Sequence, residues 1–166
     1  LKSVVHDRAF INQTNGINIE LHWTLSSSEF FMDLEKLDCF KNTRNFFLKN
    51  KNLKTLSNEI HFIYLCIHGN KHMWERIEWL VDLVLFIKKQ NLDFEKILNL
   101  SKQIDAERIV LSSFILFQHL FHIKIPEVLE KDINYKLVSN TNKYILNLAV
   151  NYSNLDQKLH TKKISF

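Results

Sequence analysis

The spacing of apolar positions changes near residue 26. From Ile17 to Leu25 it alternates strictly, with Ile17, Ile19, Leu21, Trp23 and Leu25 on one side and Asn18, Glu20, His22 and Thr24 on the other. A period of two marks a half-buried strand. Val4–Ile11 is also strand-like, and Asn15-Gly16 between the two segments is a turn signal. The pattern therefore predicts a β-hairpin whose apolar face packs on something. Two strands alone are marginal, so the hairpin is expected to belong to a larger sheet.

After Ser26-Ser27-Ser28 the period becomes helical. Glu29–Leu37 reads as a short amphipathic helix, and Lys41–Asn52 as a polar connection. Ser57 is suited to cap a helix running to about His68 or His72, with Asn58 and Glu59 in the favourable first turn. Trp74–Lys89 follows as a long helix, apolar on most sides and so expected to be central. Asp93 is placed to cap a third helix and Asp105 a fourth ending near Phe121. Pro126 fits the first position of a fifth, and roughly Asn140–Tyr152 makes a last one.

Composition supports this outline. The 166 residues fit one domain, and with two Gly and one Pro both turn-dense all-β folds and Gly-rich phosphate loops are disfavoured. The 22 basic and 18 acidic residues leave a net charge of +4, which suits an anionic partner such as a nucleotide without requiring one. Most basic residues are scattered, and the run Lys158–Lys163 reads as a solvated tail. Cys39 and Cys66 share no metal-type spacing, which predicts free thiols in a reducing cytoplasm. The apolar runs Trp79–Ile87 and Ile109–Phe117 are too short to span a bilayer, so no membrane association is expected.

Candidate chemistry is densest between Leu65 and Leu83. On a continuous helix His61, Leu65, His68, His72 and Glu75 would form one stripe, and Glu75, Glu78 and Asp82 would line one side of the next helix. Two histidines four residues apart can bind a metal or act as acid–base groups near neutral pH. Gly69 stands where a His-Glu-x-x-His zinc motif needs glutamate, so a packed or capping pair is the more ordinary reading of His68 and His72. Asp82 lies in Trp-Leu-Val-Asp-Leu-Val-Leu-Phe, where a buried carboxylate would be costly unless paired. It is either a brace clamped to Arg76, Lys71 or a histidine, or a carboxylate serving a cleft. Trp74 and Trp79 read as core. Glu20 gains interest only if further carboxylates converge on it, because two-metal phosphoryl transfer needs several oxygen ligands.

Two stretches carry a resemblance: Ile19-Glu20-Leu21-His22-Trp23, and Leu65-Cys66-Ile67-His68-Gly69-Asn70-Lys71-His72-x-Trp74-x-Arg76-Ile77-x-Trp79-Leu80-Val81-Asp82. Over roughly residues 1–125 the chain resembles the uncharacterised nucleotidyltransferase-like family of bacteria, whose members often accompany polysaccharide or peptide-modification gene clusters. The resemblance implies a mixed αβ nucleotidyltransferase core followed by helices that shape the substrate side. It implies an Asp-x-Asp pair holding Mg²⁺ and the triphosphate, with a third carboxylate from a nearby strand. Glu20 matches that third carboxylate, which makes it a metal ligand and catalytic residue. His68, Lys71, His72, Arg76 and Asp82 match the helical motif. Lys71, Arg76 and the histidines become candidate phosphate or substrate contacts, and Asp82 a candidate base or brace.

The Asp-x-Asp pair and its Gly-Ser loop are not in this sequence. Asp33-Leu34-Glu35 and Asp93-Phe94-Glu95 share the spacing but lie in helical segments. Either the paired carboxylates precede Leu1 or the chain is a degenerate relative; the first is the expectation, and the chain alone is expected not to transfer nucleotides. The fold expected is α+β and predominantly α. Residues 1–25 would form a hairpin completing a nucleotidyltransferase sheet, and residues 26–166 a compact substrate-side helical bundle. The function expected is nucleotidyl transfer from an NTP to an unknown small or carbohydrate-like acceptor in the cytoplasm, with no specific nucleic acid bound. Pairing between copies through the open hairpin edge is the oligomeric route considered. The rivals are a non-catalytic helical binding module and a metal-dependent hydrolase using His68 and His72.

Overall fold

The computed structural model describes residues 7–23 and 34–131. Within them the fold is α+β and mostly α: two antiparallel hairpins, then five helices. In the first hairpin β1 (Asp7–Ile11) pairs with β2 (Asn18–His22), Ile11 facing Asn18 and Asp7 facing His22. The loop between them is held by Asn12, whose Oδ1 accepts from the N–H groups of Thr14 and Asn15 and whose carbonyl accepts from Gly16. Gly16 has φ +70°, the left-handed conformation for which glycine is suited.

No described residue packs on the apolar side of this hairpin. Its apolar side is turned to solvent, with Ile19 63% and Leu21 59% exposed, so the strict alternation records a face that the described residues leave uncovered.

The polar connection expected over Lys41–Asn52 is a second hairpin instead. β3 (Thr43–Leu48) pairs with β4 (Lys51–Leu56) in the register Thr43–Leu56 to Leu48–Lys51. Lys49 and Asn50 turn the chain with φ of +45° and +65°. Positive φ at both central residues gives the twist that matches antiparallel strands, and asparagine tolerates it better than most residues. Lysine and asparagine, read as loop-forming, here decorate a ribbon exposed over most of its length. Of the expected Glu29–Leu37 helix, the described part is a single 3₁₀ turn, Leu34–Leu37, whose two leucines enter the core.

The helices follow their local signals with a few shifts. α1 (Asn58–Lys71) starts at Ser57, whose Oγ accepts from the Ile60 N–H at 3.4 Å. α2 spans Ile77–Lys89, three residues later than expected, because Met73 and Trp74 both take left-handed conformations (φ +50° and +54°). It is also peripheral rather than central: Leu80, Leu83 and Val84 are buried, whereas Ile77, Val81 and Leu85 face solvent. α3 (Phe94–Gln103) has the Asp93 cap anticipated, Oδ1 accepting from the Lys96 N–H at 2.9 Å. α4 (Glu107–Phe121) is preceded by Ala106 at the cap position, and Asp105 instead takes φ +58° in the connection. α5 is the short turn Glu127–Glu130, with Pro126 one position before it. The expected helix at Asn140–Tyr152 and the Lys158–Lys163 tail lie outside the described residues.

α1 and α4 form the middle of the bundle, each packing on the other as well as on α2 and α3. Phe62, Phe114 and Phe117 are fully buried there, and Phe94 meets the Phe114 ring edge-on at 5.7 Å. Ser101, Ser112 and Ser113 are buried too, their hydroxyls donating to carbonyls three or four residues back, which removes most of the cost of placing them inside. Cys39 and Cys66 are free thiols; burial pushes that of Cys66 up to about 12. No helix among the described residues is long and apolar enough to cross a membrane.

Candidate functional site

Two groups of side chains could carry chemistry. The first is on the polar side of the β1–β2 hairpin. A tight turn centred on Asn15-Gly16 would set Asp7 opposite Thr24. The longer loop, residues 12–17, shifts the register by two and puts Asp7 opposite His22 and Ala9 opposite Glu20. Asp7, Glu20 and His22 thereby each offer a ligand atom, all within 4.8 Å of one another. His22 Nε2 stands 3.5 Å from Glu20 Oε2, and the Asn18 side-chain amide donates to the other Glu20 oxygen at 3.5 Å.

The convergence required for Glu20 to matter is thus met in part by Asp7, which sequence reasoning did not single out. The signal for it is the strand register, and the register depends on a loop geometry that the Asn-Gly dipeptide misstates. Two carboxylate oxygens suit Mg²⁺, whereas the imidazole of His22 suits a softer ion such as Zn²⁺ better. Two carboxylates that could offer oxygens to a hard cation thus lie on one open surface.

The second group sits where α1 turns into α2. α1 stops at Lys71 because His72, Met73 and Trp74 leave the helical path, and the Trp74 N–H returns to the Gly69 carbonyl at 2.9 Å. The reversal brings Trp79, on the first turn of α2, back over the end of α1. Its ring meets His68 edge-on at 5.2 Å and His72 at 5.4 Å, and the two imidazoles are 4.9 Å apart. The Arg76 guanidinium lies 5.7 Å from the centre of the same indole, with Nε 3.8 Å from a Glu78 oxygen. Lys71 is exposed on the same turn of chain.

His68, His72 and Arg76 are therefore assembled around Trp79 by a helix end rather than by the unbroken stripe expected. Glu75 is outside both helices, and His61 packs edge-on to Phe86 of α2 at 5.1 Å. Asp82 corrects another expectation. It lies on the exposed side of α2, so no buried clamp is needed, and it belongs to neither group.

Burial lowers the His68 pKa below the ordinary 6.5, helped by the charges of His72 and Lys71. Burial also lowers that of His61, helped by Arg44. The folded protein thus holds both imidazoles neutral at pH values where the unfolded chain would take up protons. Stability from these groups is complete above the unfolded value of 6.5 and lost as pH falls through the lowered folded values. Urea titrations between about pH 7.5 and 5.5 are expected to show stability falling with pH. The double variant His61→Gln/His68→Gln should flatten that slope, and an equal slope in variant and parent would contradict the assignment.

A carboxylate–imidazole hairpin ahead of a helical bundle with a basic, aromatic corner describes a class: an α+β protein, mostly helical, with polar groups suited to a metal and to anions. Residues 3–122 match the family described as uncharacterised nucleotidyltransferase, and the chain belongs to that family. The match spans both stretches on which the resemblance rested. Neither a curated protein nor a solved structure matches the chain.

Proposed function

We propose that the protein transfers a nucleotidyl group from an NTP to a hydroxyl of a small or carbohydrate-like acceptor. The acceptor oxygen would bond to the α-phosphorus as pyrophosphate leaves, and the hydroxyl proton would pass to a base or to water. Family membership supports the reaction class, and the observation that carries the site is the meeting of Glu20 with Asp7 and His22 on one hairpin face. A bound Mg²⁺ supplies charge neutralisation for the triphosphate.

In this reading Glu20 and Asp7 hold the ion by their oxygens, while His22 orients Glu20 from 3.5 Å. His68, His72, Lys71 and Arg76 offer donors and positive charge to phosphate at the α1–α2 corner. Asp82, exposed on α2, is left as a group that takes the acceptor's proton or steadies a bound substrate. The reaction belongs in the cytoplasm, where NTPs are present and free thiols persist. The open edges of the hairpin would let two copies pair.

The test is pyrophosphate release from NTPs with Mg²⁺, measured on the protein as expressed from its natural gene. Glu20→Ala should lower turnover at least about ten-fold, since even groups supporting a ligand matter by that factor. Unchanged turnover would remove Glu20 from the metal site. Absence of NTP turnover in the unaltered protein would favour a binding module instead.

A further inference from the structure

The positive charge of this protein is unevenly placed along the chain. The chain has 22 basic and 18 acidic residues. The β3–β4 ribbon holds Arg44, Lys49, Lys51 and Lys54 and no acidic residue, so the remaining basic and acidic residues balance. The acid-free run extends from Cys39 to Asn58. Lys41, just before the ribbon, is neutralised by Asp38 at 2.7 Å, whereas the four ribbon cations have no carboxylate within ion-pair distance among the described residues.

The ribbon also presents rings. Phe47 is 72% exposed and Phe46 44%, with Phe40 open to solvent beside the ribbon's start. In the observed register Phe47 faces Asn52 and Asn45 faces Lys54, so one side of the ribbon carries an open ring flanked by two amides and an ammonium. The other side carries Arg44, Phe46 and Leu48 opposite Thr55, Leu53 and Lys51.

We propose that the β3–β4 ribbon is a docking surface for single-stranded nucleic acid that crosses its tip, with phosphates on Lys49 and Lys51 at the turn and on Lys54 beside Phe47, on which a base stacks. Unpaired cations alongside an exposed ring and amide donors are the combination that holds a single strand with little regard to sequence. A lipid surface is served less well. The ribbon's tip is Lys49-Asn50-Lys51, which would enter the bilayer charge first, and its more open ring, Phe47, lies on the side opposite Phe46, Leu48 and Leu53. The proposal is independent of nucleotidyl transfer, since it involves neither the β1–β2 hairpin nor the α1–α2 corner.

Fluorescence anisotropy of a labelled oligouridylate of about ten nucleotides, titrated with the whole chain, tests it. Binding should weaken with salt, with a log–log slope near −2 for three phosphates engaged. Lys51→Glu/Lys54→Glu should weaken it at least ten-fold. Phe47→Ala should weaken it roughly five-fold or more while leaving the salt slope unchanged. An abasic oligomer should bind the parent and Phe47→Ala equally. All three positions are exposed, so the fold is retained, and matching circular dichroism spectra confirm that.

No binding at low salt, or equal binding by Lys51→Glu/Lys54→Glu, would overturn the proposal. So would ribbon variants that lose binding to phosphatidylserine vesicles but not to the oligomer, since the surface would then serve lipid.

Discussion

Phe114→Ala is expected to destabilise the protein by about 3–5 kcal/mol, a large fraction of the stability of an ordinary domain. Phe114 is fully buried on α4, and three other rings depend on it: Phe62 at 5.5 Å, Phe94 at 5.7 Å and Phe117 at 5.7 Å. These come from α1, α3 and α4 itself, so removing the ring opens a cavity that no single helix can close by moving. The loss combines transfer of the ring to water with the lost contacts of its neighbours. Urea denaturation followed by far-ultraviolet circular dichroism measures it. Phe114→Leu, which keeps much of the volume, should recover a large part of the loss. A loss below about 1 kcal/mol for Phe114→Ala would mean that the bundle collapses onto the site and that the core is less tightly specified than it looks.

Gly69→Val should cost about 3 kcal/mol, at the upper end for overpacking. Glycine inside a helix ordinarily gives up about 1 kcal/mol relative to alanine, so its place in α1 needs a steric reason. The reason is Trp74, whose indole lies against the Gly69 backbone where a Cβ would be. Trp74 is anchored there by its backbone N–H, which donates to the Gly69 carbonyl, and by edge-on contact of its ring with Phe117 at 6.5 Å. A side chain at position 69 would push the indole off and, with it, the left-handed pair Met73-Trp74 that turns α1 into α2.

Gly69→Ala should destabilise less, because better helix propensity offsets part of the clash. A Gly69→Ala protein more stable than the parent would show that the indole can yield. Since the same reversal sets Trp79 against His68 and His72, the valine variant should also disturb the histidine corner, visible as shifted imidazole resonances in the NMR spectrum.

Much of the helical bundle was legible along the chain because its signals are local. Ser57 and Asp93 cap the helices they precede, each through its own side-chain oxygen, and a cap needs only the next turn of backbone. The errors fall where a local signal competes with contacts from afar. Asp82 looked buried because its neighbours are apolar, but α2 packs with only one side, and the aspartate falls on the other. The ribbon at Thr43–Leu56 looked like a connection because lysine and asparagine dominate its polar positions, and strand pairing is a non-local choice that composition states poorly.

The candidate sites divide in the same way. That Glu20 and His22 share a side of one strand follows from the order of residues, since alternation with period two is a property of the strand alone. So does the set of residues that crowd the end of α1. That Asp7 joins Glu20 and His22 depends on the folded chain, because a two-residue shift of register rests on how Asn12 closes the loop. The meeting of His68, His72 and Arg76 around Trp79 likewise belongs to the folded chain. That meeting requires the chain to reverse at Met73-Trp74, and the reversal is possible because a glycine one turn earlier leaves room for an indole.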